Sequence, residues 1–87
     1  MTDTRRVDYQ FSAVELTELV INVGKNEREV YRALGYLSTW NMSYPIVKIW
    51  INAKYNELNA AYFNEDGVEC GYAIGAVWHD DHFGFHS

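Results

Sequence analysis

The sequence predicts an α+β two-layer domain: a two-helix hairpin packed on a three- to four-stranded antiparallel β-meander. Three observations carry that expectation. The first half holds two runs in which apolar residues recur at helical spacing, each opened by a capping signal. From Ile46 the apolar period shortens to two, as in half-buried strands. Asp66-Gly67 then stands between two alternating runs, and both residues tolerate the positive φ of a tight type I′ hairpin.

Taken in order, residues 1–6 read as a flexible leader and Val7 to Phe11 as a short edge strand. Ser12 and Glu15 form a capping box, with Phe11 and Leu16 as the apolar staple around it. The helix that follows, about 13–23, puts Ala13, Leu16, Leu19, Val20 and Val23 on one face. Gly24 stops it, and Asn26 with Glu29 starts a second helix over about 27–40. Val30, Leu34 and Leu37 make its inner stripe, with Tyr31 alongside and Arg28 and Arg32 outside. Tyr44-Pro45 ends it, because the residue before proline is pushed out of the helical region.

Val47, Ile49, Ile51, Ala53 and Tyr55 then alternate with Lys48, Trp50, Asn52 and Lys54, which predicts a strand over 46–55. A helix beginning at Pro45 is the rival reading for 46–64, and the density of β-branched residues favours the strand. Residues 56–59 turn the chain and 60–65 return it. A strand over 68–78 follows, with Val68, Cys70, Tyr72, Ile74, Ala76 and Trp78 on the core face and Glu69, Gly71, Ala73, Gly75 and Val77 on the other. Under a two-residue Asp66-Gly67 loop, Phe63 lies opposite Cys70. Asp80-Asp81 makes a last turn before a short edge strand at 82–87.

Eighty-seven residues suit a single domain that buries about 60–65% of the surface of its unfolded chain, too little for a deep active-site cavity. An apolar content of 48% and an aromatic content of 16% describe a folded globule. The lone Cys70 allows no internal disulfide and suits a reducing, cytoplasmic setting. No apolar run approaches the roughly 18 residues of a membrane span. The net charge is −5, but its distribution says more. Residues 1–54 hold all seven Lys and Arg against six acids, whereas residues 55–87 hold six acids and no base. That acidity argues against direct nucleic-acid binding and for a protein partner with a basic surface.

Among chemical constellations, His79-Asp-Asp-His82 is the metal-like cluster: a hairpin at Asp80-Asp81 makes His79 and His82 cross-strand neighbours about 5 Å apart at Cβ, with Asp81 as a third donor. His86 falls too far along the strand to join them. Cys70, in an apolar strand, reads as a small buried hydrophobe and not as a nucleophile. Adjacent carboxylates in turns are solvated and face no cleft suited to acid-base work, and no phosphate-binding glycine pattern is present, so neither an enzyme nor a cofactor is expected.

Fourteen aromatics and seven asparagines exceed what so small a core buries, which marks a recognition surface. Its expected residues are Trp50, Tyr62, Glu65, Asp66, Glu69, Gly71, Gly75, Asp80 and Asp81, on one end and the open face of the sheet, extended by Tyr44, Tyr55 and Phe85. In format only, the chain is similar to the small acidic inhibitors of phages and mobile elements, anti-CRISPR proteins among them, and to toxin-immunity proteins. That likeness carries no residue positions. The expected function is a protein-binding inhibitor that blocks a basic, nucleic-acid-binding groove on a larger protein. The alternatives are a module that self-associates as a homodimer through the strip around Gly71 and Gly75, and a small His/Asp metal protein.

Overall fold

The computed structural model describes residues 5–22, 27–71, 73–79 and 81–85. Among them the chain forms β1 (Arg6–Tyr9), α1 (Ala13–Asn22), α2 (Glu27–Thr39), β2 (Ile46–Asn52), a 3-10 turn (Ala53–Tyr55), β3 (Glu57–Phe63), β4 (Ile74–His79) and β5 (His82–Phe85). The α+β class is as expected, but the sheet is five-stranded and mixed, in the order β1-β2-β3-β4-β5. β1 runs parallel to β2, with Val7 beside Val47, and the other neighbours are antiparallel. Parallel neighbours need a long crossover, and α1 with α2 supplies it.

One face of the sheet meets the helices. Val47, Ile49, Leu58, Ala60, Tyr62, Ile74, Ala76 and Phe83 pack with Val30, Ala33, Leu34 and Leu37 of α2, and with Leu19 of α1. Burying each of the larger side chains contributes about 1.5–3 kcal/mol. The capping box forms as its spacing requires: Glu15 Oε1 accepts from Ser12 N at 2.8 Å and Ser12 Oγ from Glu15 N at 3.2 Å. α1 is nevertheless lightly anchored. Leu19 is its one buried residue among those described, Leu16 and Val20 are half-buried, and Ala13, expected inward, is exposed. Val23, Gly24 and Asn26, read as an inner-face residue, a helix stop and a helix cap, lie outside the described residues.

The end of α2 is held from two sides. Asn41 takes φ 54° just past the helix, a left-handed residue that ends it. Tyr62 Oη donates to Leu37 O at 2.9 Å, and Arg5 donates to Ser38 O at 2.7 Å and Asn41 O at 2.9 Å. Arg5 also lies 5.4 Å from the centre of the Tyr62 ring. Of the residues read as a leader, Arg6 pairs with Ile46 in β1, and Arg5 donates to carbonyls at the C-terminus of α2, where orphan acceptors attract a cationic donor. At the far edge, Glu29 Oε1 accepts from Phe83 N at 3.2 Å and Arg32 donates to Phe83 O at 3.3 Å. The two side chains are themselves paired at 2.7 Å, and that bond from Arg32 holds the Glu29 carboxyl below its usual range. The outer rim of β5 is thus closed at Phe83.

The hairpin after β3 departs most from expectation. Gly67 has φ 79°, Asp66 does not take positive φ, and Gly67 N donates to Asn64 O at 3.0 Å. The loop is therefore a type I turn followed by a left-handed glycine, one residue longer than the type I′ loop. Asn64 selects it, since its Oδ1 accepts from both Asp66 N and Val68 N at 3.0 Å. Phe63 then faces Glu69 instead of Cys70. Tyr62 O accepts from both Cys70 N (3.0 Å) and Gly71 N (3.3 Å), and regular pairing resumes only at Ala60 with Ile74. This bulge shortens the expected 68–78 strand to Ile74–His79 and leaves Cys70 exposed instead of buried. Tyr72 lies outside the described residues. Similarly, β2 stops at Asn52, and the turn expected at 56–59 falls earlier, where Asn56 takes φ 50°.

Burial raises the Tyr62 phenol to about 12 from 10.0. A raised folded-state value means that the unfolded chain releases this proton first, so the contribution is intact below pH 10 and is lost as pH climbs toward 12. Tyr62→Phe is expected to cost about 1 kcal/mol at neutral pH by orphaning Leu37 O. In urea unfolding at stepped pH, the gap between wild type and variant should shrink above pH 10. A gap that stays constant refutes this account of the bond.

Candidate functional site

Three surfaces collect the polar and aromatic residues outside the core. On the open face of the sheet, Lys48 reaches over the Phe63 ring at 4.8 Å from its centre. A shallow hollow of about 470 Å³ there is lined by Gln10, Lys48, Trp50, Ile51, Ala61, Phe63 and Glu69. Trp50 and Glu69 of the expected surface belong to it. Tyr62 does not: it is fully buried under α2, on the other face, because its register places it beside Val47. The glycine strip is also not formed. A Cβ on Gly75 would lie 3.3 Å from Asn59 Oδ1 and 3.5 Å from the Glu57 carboxylate, so those side chains cover it. A Cβ on Gly71 would lie 3.6 Å from Tyr62 Cβ, so the bulge has turned Gly71 toward the helix side. Of the proposed extensions, Phe85 packs on Tyr36 at 4.4 Å and Tyr44 lies 6.5 Å from Tyr62, while Tyr55 is exposed.

The acids are divided as well. Glu65, Asp66 and Glu69 are exposed around the hairpin that follows Phe63, beside the start of β2. Asp81 is exposed at the β4–β5 turn, beyond the pairing of Glu57 with Val77, and therefore at the opposite end of the sheet. Antiparallel strands force this separation, since successive turns alternate ends. Asp80 and His86 lie outside the described residues. His79 and His82 are cross-strand partners as expected, and His82 Nδ1 lies 2.6 Å from Asp81 Oδ1. Among the described residues no group of three His, Cys, Asp or Glu side chains is placed to hold a metal, and no helix is long and apolar enough to cross a membrane.

The third surface was not expected from the sequence. Where α1 leans on α2, a groove of about 380 Å³ is lined by Tyr9, Phe11, Leu16, Tyr31, Leu34 and Gly35. It continues past Leu16 and Tyr31 into a second hollow of about 270 Å³, bounded by Thr17, Val20, Ile21 and Glu27. Tyr9 is 50% exposed, Tyr31 56% and Ile21 58%, so large apolar side chains stand around the groove in water instead of closing it. Tyr9 and Phe11 meet edge to face at 5.4 Å and stiffen its wall. The only charges on α1 are Glu15 and Glu18, and Glu27 edges the second hollow. The groove is therefore apolar within, with Glu27 at its edge and the exposed Arg28 next to it, while Glu15 and Glu18 line neither hollow.

Gly35 gives this groove its character. It lies within α2, has ordinary helical φ, and a Cβ there would meet nothing within 4 Å. Neither internal packing nor backbone conformation requires glycine, and glycine inside a helix costs about 0.5–1 kcal/mol relative to alanine. What remains is its exposure: it keeps a strip of α2 backbone bare at the groove. Gly35→Ala is expected to raise Tm by a few degrees with an unchanged circular dichroism spectrum. A variant less stable than wild type contradicts the open geometry above Gly35. No protein-family model, curated protein or solved structure matches the chain, so the groove is read from its own chemistry.

Proposed function

We propose that the chain is a small protein-binding inhibitor that docks its α1–α2 groove on a larger protein and occludes a basic surface there. The carrying observation is the bare backbone at Gly35, opening into an apolar groove walled by exposed tyrosines. A residue that weakens the helix and serves no internal contact is accounted for by the close approach of another molecule. Tyrosines supply contact area at low entropy cost, and an apolar centre with a polar rim suits a protein partner. Charge sets the type of partner. Glu27 at the groove edge favours an apolar ridge flanked by Lys or Arg, and Glu15 and Glu18 of α1 with the acids of residues 55–87 add long-range attraction to the same sign. A protein surface that normally holds nucleic acid has that character. The open sheet face, with Trp50 and Glu69, is a secondary contact in this reading.

Two variants separate shape from charge. Gly35→Leu should keep the fold and fill the contact strip, whereas Glu18→Lys with Glu27→Lys should spare the Ser12–Glu15 cap and reverse the field beside the groove. A bacterial protein retained by the wild-type chain, released as salt rises, and lost by both variants is the expected outcome. Retention that survives both substitutions refutes the groove as the docking site. Retention indifferent to salt removes the electrostatic part.

A further inference from the structure

The β4–β5 turn, away from the groove, brings two imidazoles into register. His79 and His82 are directly opposite one another, and their ring centroids lie 5.6 Å apart with planes inclined at 35°. Both are exposed. Each ring is also oriented by something other than the pairing. His82 Nδ1 lies 2.6 Å from Asp81 Oδ1. A carboxylate only accepts, so Nδ1 carries the proton in this pair, and Nε2 is the nitrogen that the neutral ring can offer to a metal. The His79 ring lies over Gly84: a Cβ at that position would come within 2.7 Å of His79 Cδ2 and 2.8 Å of its Nε2. Any larger residue at Gly84 would push the ring away, so the glycine reserves this position for it.

The separation matches a chelate. Two imidazoles on one tetrahedral ion at about 2.0–2.1 Å hold their centroids about 3.2 Å from it and about 5 Å from each other. The observed 5.6 Å differs by less than a small side-chain rotation. A carboxylate behind a ligating histidine is also the usual outer contact of such sites, fixing the tautomer and raising the basicity of the donor nitrogen. Nitrogen donors select late first-row divalent ions over Mg²⁺ and Ca²⁺, which prefer oxygen. We propose that His79 and His82 form a two-imidazole site for Zn²⁺, Ni²⁺ or Cu²⁺, with Asp81 as positioning residue behind His82 and water completing the coordination.

The full chain, freed of metal by chelator, is titrated with ZnCl₂ and NiCl₂ by calorimetry, and with Cu²⁺ while the histidine ring protons are followed by NMR. The expected result is one ion per chain, with Cu²⁺ bound most tightly. Paramagnetic broadening should fall on the His79 and His82 rings. His79→Ala and His82→Ala should each weaken binding at least tenfold. Asp81→Ala should weaken it about tenfold with Tm unchanged, and Asp81→Asn, which still accepts the Nδ1 proton, by less. Gly84→Ala should weaken binding with both imidazoles present, which a site made only of surface histidines would not show. No saturable binding, binding that survives both histidine substitutions, or binding lost only in His86→Ala overturns the proposal.

Discussion

The rest of the structure depends on how the C-terminal carbonyls of α2 are satisfied. Leu37 O and Ser38 O stand where the helical ladder has ended and would be costly to bury alone, and Asn41 O, just past the helix, accepts from Tyr44 N as well. Tyr62 reaches the first from within β3, and Arg5 reaches the other two from the residue before β1. One helix terminus is thereby tied to two strands that are not neighbours in the sheet. The tie holds the N-terminal segment beside β2, to which β1 runs parallel, with α2 packed across the sheet face. The cost falls on Arg5, whose guanidinium is partly desolvated and whose pKa is lowered by that burial.

With α2 positioned this way, the hydrophobic face of the sheet is covered largely by one helix. α1 completes the layer only in part, through Leu19, and the gap between the helices becomes a groove instead of a core. A small domain has little apolar surface to spare, so large side chains left in water at Tyr9, Ile21 and Tyr31 are informative in a way that scattered exposed residues are not. The open face of the sheet presents a different chemistry, with Lys48 over Phe63 and the Glu57–Asn59 pair covering Gly75. The apolar groove, and not a glycine-alanine strand, is where this domain leaves its large apolar side chains in water.

Local signals were readable where the interaction itself is local. The Ser12–Glu15 box, the α2 stripe of Val30, Leu34 and Leu37, and the pairing of His79 with His82 span only a few residues, and spacing suffices to find them. The Asp66-Gly67 hairpin shows where this stops. A turn was correctly placed, but Asn64 captured two backbone amides and lengthened the loop by one residue, and the bulge that follows, where Tyr62 O accepts from both Cys70 N and Gly71 N, leaves Cys70 exposed. Tyr62 was misread for a related reason: alternation divides a strand into two faces but does not say which face the helices will cover. Gly35 was legible as a mid-helix glycine, but its meaning required knowing that nothing packs above it.

By itself, the sequence determined the α+β class, both helices to within a few residues, the alternation of β2 and the acidity of the last third, because each rests on periodicity, capping or composition. Tertiary structure alone decided the parallel β1, the bulge after Glu69, the division of the acids between two ends of the sheet and the groove between α1 and α2. Those features arise from contacts between residues far apart in the chain, such as Arg5 with Asn41 and Glu29 with Phe83. No local pattern encodes such contacts, because their free energy appears only once both partners have been brought together by the fold.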